Sequence, residues 1–200
     1  MRVIVVGASG TIGEAVSRAL SARHEVVSVG RSHGEFKADI TDKASLEHLF
    51  ASLGRFDAIV SAAGSAAFKP LTELGDADFA MSLGDKLMGQ VNLALLAAKN
   101  ISDGGSITLT GGTLAREPMK GGAAVSLVNA ALEGFGRAAA FEMPRGIRVN
   151  IVSPPWVSET LVKLGMKGAG LPADVVAKAY LQSIEGSGTG LVIDPRRVTS

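Results

Sequence analysis

Cysteine is absent from this 200-residue chain, so disulfides, thiolate metal sites and thiol nucleophiles are all excluded. Aromatic residues are scarce, at 4%, while Ala, Val and Leu abound, which is the composition of an aliphatic sheet covered by helices on both faces. Neither sign of charge dominates. The formal net charge is +1 and no run of Lys or Arg exceeds a pair, which argues against nucleic acid as a partner, because phosphate neutralisation needs a concentrated basic face. No apolar stretch is long enough to span a bilayer, and the first residues lead straight into an apolar strand. The expectation is no membrane segment, no signal peptide and a cytoplasmic protein. His24, His33 and His48 stand apart in polar settings, so no metal site is expected. The length suits one domain with a real core.

What the chain has instead is glycine, placed with purpose. Residues 2–13 read as an apolar run that breaks at Gly7-Ala8-Ser9-Gly10-Thr11-Ile12-Gly13, three glycines spaced three apart. Gly7 would let the chain turn at the end of a buried strand. Gly10 would let the backbone approach a pyrophosphate, and Gly13 would let the following helix pack on the sheet. A helix over about 11–22 would aim its free N–H groups and positive dipole end at the phosphates. The strand before and the amphipathic helix after supply the context that a bare glycine triplet lacks.

Further along, strands are predicted over 24–29, 36–39, 56–62, 105–110, 147–152 and 190–193. Thr41 or Asp42 caps a helix whose apolar positions Leu46, Leu49, Phe50 and Leu53 have helical spacing. Pro70 starts a short helix, 76–100 reads as mostly one long helix, 122–142 as a helix of small residues, and Pro172 opens the last. Loose stretches are expected at 165–171 and 196–200. Strands alternating with helices at this rhythm imply an α/β fold: a Rossmann-type, doubly wound parallel sheet of about seven strands with helices on both faces. Residues 1–200 are read as a single dinucleotide-binding domain with a short substrate loop around 156–172.

The chain as a whole resembles the short-chain dehydrogenase/reductase family. The likeness is carried by the glycine loop, Asp39-Ile40, Ala62-Ala63-Gly64, Ala130-Ala131-Leu132-Glu133-Gly134, Arg148-Val149-Asn150, and Pro154-Pro155-Trp156-Val157 with Thr160. The resemblance implies NAD or NADP as cofactor. Ser9, Gly10, Thr11 and Ile12 would offer backbone N–H groups to the pyrophosphate. Asp39 would accept from the adenine amino group, with Ile40 beside the ring, and Ala62, Ala63 and Gly64 would lie against the adenosine ribose. Pro154, Trp156 and Val157 would frame the nicotinamide, and Thr160 would bond its carboxamide. At the end of the second strand, where an acid selects NAD, stand Arg31 and Ser32. A cation there suits a 2′-phosphate, so NADP(H) is preferred, with NAD(H) the other option. The family also implies a homodimer or homotetramer, built on helices whose small residues allow close approach.

Four catalytic positions of that family are altered. Its Tyr-x-x-x-Lys pair falls on Val125 and Asn129, its Ser on Gly111 and its Asn on Lys86. The only tyrosine is Tyr180, in the last helix, so a register slip does not restore the pair. Two readings follow. In the first, an oxidoreductase acting on a carbonyl or alcohol uses substitute groups: Lys86 as a cationic acid or electrostatic clamp, Thr110 or Thr113 as the hydroxyl, and Asn129 on the nicotinamide ribose. In the second, the chain is an inactive NADP(H)-binding sensor or interaction protein. A structural subunit without ligand is disfavoured by the intact phosphate loop. The charged segment 116–120 is read as a solvated loop beside the cleft.

Overall fold

Alternation within the first strand sets the architecture. In β1 (Arg2–Val6), Val3 and Val5 face one side and Ile4 and Val6 the other, and all four are buried, so the strand needs cover on both faces. The computed structural model describes residues 1–198. It contains α1 (Thr11–Ser21), β2 (Glu25–Gly30), β3 (Phe36–Lys37), α2 (Lys43–Leu53), β4 (Phe56–Ser61) and α3 (Asp76–Ser82), followed by α4 (Gly89–Asn100) and β5 (Ile101–Thr110). The remaining elements are α5 (Ala123–Glu142), β6 (Arg148–Val152), α6 (Ser158–Lys163), α7 (Ala173–Glu185) and β7 (Val192–Ile193).

All strand pairs are parallel, in the order β3-β2-β1-β4-β5-β6-β7. The order reverses between β1 and β4, which opens a crevice beyond their carboxyl ends. On one face α2, α4 and α5 bury Leu46, Leu93 and Leu132 against Ile4, Ile59 and Ile107. On the other, α1 and α7 bury Val16, Leu20, Val176 and Tyr180 against Val3, Val5 and Val60. The expected seven-stranded Rossmann-type sheet with flanking helices is what forms.

Four local expectations are corrected. The long helix over 76–100 is interrupted by a π-helical turn, Leu83–Met88, which carries Lys86. β5 begins at Ile101 rather than at 105. Within Ser102-Asp103-Gly104-Gly105 the strand continues through an irregularity, with Gly104 at φ +72° and a register shift opposite Phe56 and Ala58. The helix after Pro70 is a single 3-10 turn, Leu71–Glu73. Near the end of the chain, Arg196 is tied to Asp194 and Glu117 rather than loose; Thr199 and Ser200 lie outside the described residues.

Candidate active site

The glycine loop folds as its spacing requires. A Cβ on Gly13 would lie 2.0 Å from the Gly7 carbonyl oxygen, so only glycine lets α1 start directly behind the turn. Gly7 itself has φ +83° and packs against the backbone of Ala62. The Gly10 N–H donates to the Gly7 carbonyl at 3.0 Å, closing the loop.

Two cavities lie beyond the strand ends. One, of about 280 Å³, is walled by Gly7, Ser9, Gly10, Arg31, Ile40, Ala62, Ala63, Gly64 and Asp85, among others. The second, of about 200 Å³, is walled by Ile12, Lys86, Thr110, Thr113, Val125, Asn129, Pro154, Trp156, Val157 and Thr160, with Gly111, Gly112 and Leu114. Most residues singled out in the sequence thus converge on these two spaces.

Thr11, Gly13, Ser32 and Asp39 stand off both walls. Gly13 is used for packing. The Asp39 carboxylate accepts from the backbone N–H and hydroxyl of Thr41 at 2.9 and 2.8 Å, and pairs with Arg31 Nε at 3.2 Å. Those bonds, the Thr41 N–H foremost, hold its pKa below the ordinary carboxylate range. Both of its oxygens thus have local partners, Oδ1 the Thr41 N–H and hydroxyl and Oδ2 the Arg31 guanidinium. Arg31 also lies 3.9 Å from Asp85, which lines the first cavity with it.

Lys86 is positioned by three elements. Gly64, at φ +114°, lets the π turn lie against the end of β4, where a Cβ would come within 3.0 Å of Lys86 Cα. The buried Gln90 side chain donates to the Thr110 carbonyl at 3.0 Å and accepts from the Thr110 N–H at 2.8 Å, pinning α4 to the last residue of β5. It also donates to the Lys86 carbonyl at 3.1 Å. The Lys86 ammonium then reaches the Gly111 carbonyl at 3.4 Å on the wall of the second cavity. Desolvation pushes its pKa from 10.5 down to about 8, against a small opposing pull from Asp85.

Asn129 is 2% exposed, and its Oδ1 has no hydrogen-bond partner. Gly112 leaves room beside it, since a Cβ there would lie 2.6 Å from Asn129 Nδ2. A buried, unpaired acceptor on a cavity wall is costly unless a ligand satisfies it. This orphan oxygen and the glycine loop together fit a dinucleotide with a hydroxylated ribose.

The hydroxyl expected from Thr110 is not available. Its Oγ1 bonds the Ser61 carbonyl and, at 2.6 Å, the Tyr180 hydroxyl. Tyr180 is fully buried in the core on the α7 side of the sheet, and burial drives its pKa upward. Thr113 is buried, with its N–H donating to the Pro154 carbonyl at 2.9 Å. Trp156 packs edge-on against Phe68, centroids 5.4 Å apart, and its Nε1 donates to Met119 Sδ at 3.0 Å. The segment 116–120 is ion-paired rather than merely solvated: Arg116 donates to the Ser153 hydroxyl at 3.2 Å and lies 3.5 Å from the buried Glu133, while Glu117 binds Arg196.

Sequence reasoning missed α6. This helix sits within the expected substrate loop and places Lys163 Nζ 2.9 Å from Thr11 Oγ1. The run Ser158-Glu159 ahead of Leu161 was the only local sign of it. Among the described residues no group of three or more His, Asp or Glu is placed to hold a metal.

A doubly wound parallel sheet with a glycine loop at its switch point defines a Rossmann-type nucleotide-binding fold. Comparison with known proteins narrows the class. A family model described as enoyl-(acyl carrier protein) reductase matches residues 6–184, and the chain belongs to the short-chain dehydrogenase/reductase family of oxidoreductases. It is 30% identical over 162 residues to a hydroxynaphthalene reductase of Aspergillus fumigatus, a match spanning 78% of this chain but 59% of that one. Against the 3-oxoacyl-(acyl-carrier-protein) reductase of Bos taurus the identity is 27%, spanning 95% of this chain and 94% of the relative. Among solved structures, protein lin1944 of Listeria innocua superposes with a TM-score of 0.94 at 42% identity, covering 97% of this chain and 98% of that one. A small-chain dehydrogenase in complex with NADPH superposes with a TM-score of 0.87 at 29% identity, covering 97% and 95%.

Proposed function

We propose that the chain is an oxidoreductase that binds NADP(H) along the two cavities and transfers hydride between NADPH and a small carbonyl or alcohol, with Lys86 in place of the usual proton donor. The observation that carries this reading is the desolvated Lys86 ammonium on the same cavity wall as the unpaired Asn129 oxygen. Bound there, a reduced nicotinamide supplies the hydride. Lys86 spends one N–H on the Gly111 carbonyl and keeps two for a substrate oxygen. With a pKa near 8 it is protonated at neutral pH yet ready to give the proton to a developing alkoxide. Asn129 accepts from the ribose, and Thr113 stands as the nearby hydroxyl.

At the other end Arg31 favours a 2′-phosphate, shared with Asp39, and the structural relative that holds NADPH supports the same choice. Cavity walls Gly7, Ser9, Gly10 and Ile12 take the phosphate-loop role, Ile40 and Ala62 to Gly64 the adenosine, and Pro154 to Val157 with Thr160 the nicotinamide. Residues 1–200 act as one cofactor-binding domain in the cytoplasm. Among the described residues no helix is long and apolar enough to cross a membrane. The chain assembles as a homodimer or homotetramer, a reading supported by the exposed stripe of Leu127, Ala130, Gly134, Ala138 and Phe141 along α5.

A second reading, cofactor binding without turnover, draws on Val125 standing where the family places its tyrosine, beside Leu114 and Ile12 on the cavity wall. Fluorescence titration with NADPH and NADH tests the cofactor assignment. NADPH is expected to bind at least about tenfold more tightly, a difference of about 1.4 kcal/mol. Arg31→Asp should abolish that preference; equal affinities in the wild type would contradict it. Tight NADPH binding with no oxidation across small aldehydes and ketones would select the second reading.

A further inference from the structure

We propose that Lys163 is a cofactor-binding residue that holds the pyrophosphate of the dinucleotide from the loop side. The inference rests on the NADP(H) reading above. Ser9 and Gly10 wall the first cavity and Ile12 walls the second, so a ligand spanning both passes Thr11. That is where the Lys163 ammonium sits, 2.9 Å from the Thr11 hydroxyl.

Its delivery to this point is built into the loop. The Leu171 N–H donates to the Trp156 carbonyl at 2.8 Å, and the Ser158 N–H to the Leu171 carbonyl at 3.0 Å. Glu159 accepts from the Ala173 N–H at the start of α7, and Leu161 is buried. With the base of the loop fixed, Thr160 and Lys163 lie three residues apart, on the same side of α6. Thr160 walls the nicotinamide cavity and Lys163 meets the phosphate loop.

Charge explains why a lysine belongs there. A pyrophosphate carries more negative charge than the roughly half unit of positive charge at a helix N-terminus offsets. Of the other cations nearby, Arg18 pairs with Asp174, and Arg31, beside Asp39, serves the 2′-phosphate at the adenosine end. Among the described residues Lys163 has no carboxylate within ion-pair distance, and it holds only a neutral hydroxyl. Exchanging that hydroxyl for a phosphate oxygen makes a charge-assisted hydrogen bond and secures the loop over the cofactor.

The test is NADPH titration of the full chain, read by energy transfer from Trp156, the only tryptophan. It is run on the wild type, Lys163→Gln and Lys163→Arg. Binding of 2′-AMP, which lacks the pyrophosphate, is measured in parallel by calorimetry. Lys163→Gln should weaken NADPH by about tenfold, as loss of a charge-assisted bond implies, and leave 2′-AMP unchanged, while Lys163→Arg restores NADPH binding. Unchanged NADPH affinity in Lys163→Gln would overturn the proposal. So would an equal loss for 2′-AMP, which would place the effect on the adenosine half. A wild type that binds neither NADPH nor 2′-AMP would refute the cofactor reading itself, and this assignment with it.

Discussion

Lys86 sits where hydration and chemistry pull in opposite directions. Its side chain is half-buried along the cavity wall, where its ammonium is partly desolvated and keeps one long bond to the Gly111 carbonyl. The folded chain therefore holds this proton less tightly than the unfolded chain, with a pKa near 8 against 10.5. Between those two values the unfolded state binds more protons, so the contribution of Lys86 to stability rises with pH across that window, and below it the full desolvation cost is present. Thermal unfolding of Lys86→Met should accordingly show a melting temperature at or above that of the wild type near neutral pH, with the advantage shrinking toward about pH 10. A variant clearly less stable than the wild type at neutral pH would show that the ammonium is well solvated or paired. The type of residue at 86 was legible in the sequence. Its environment was not, because burial is set by Gly64, Gln90 and Gly111, which no local pattern links to it. The same holds for Arg31 and Asp39, each assigned a ligand on its own, which the fold pairs with one another.

Among the elements, the joint between α4 and β5 is the one on which the site depends. Gln90 satisfies both the N–H and the carbonyl of Thr110 inside the core. Gln90→Ala would leave these two buried groups unpaired, at a cost of about 3 kcal/mol. Chemical denaturation is the check, and a loss under about 1 kcal/mol would mean that water or repacking replaces the amide. Strands and helices were readable where an apolar run or a helical period marks them: the run of β1 is buried on both faces, and Leu46, Leu49, Phe50 and Leu53 of α2 are buried where their spacing puts them. The π turn and α6 were not. Both are short, and both are held by tertiary contacts, Gly64 against Lys86 and Lys163 against Thr11, rather than by their own patterning.

For the molecule as a whole, the parallel sheet brings the carboxyl ends of β1, β2, β4, β5 and β6 to one edge, so residues as far apart in sequence as Gly7 and Thr160 line two cavities there. The opposite surface of α5 is unusual for its apolar exposure, and Phe141 is 92% exposed. If two copies meet there, Phe141→Glu should shift the chain toward monomer in analytical ultracentrifugation without changing NADPH affinity. An unchanged mass would place the interface elsewhere.

The most direct test of the account is the rate of NADPH oxidation against small aldehydes and ketones, followed from about pH 6 to pH 10, for the wild type and Lys86→Met. If Lys86 is the acid, the wild-type rate falls above about pH 8, the value that burial sets. The variant should be slower by about 10²- to 10⁴-fold, with that fall absent. A Lys86→Met protein that keeps the wild-type rate and pH profile would contradict the assignment.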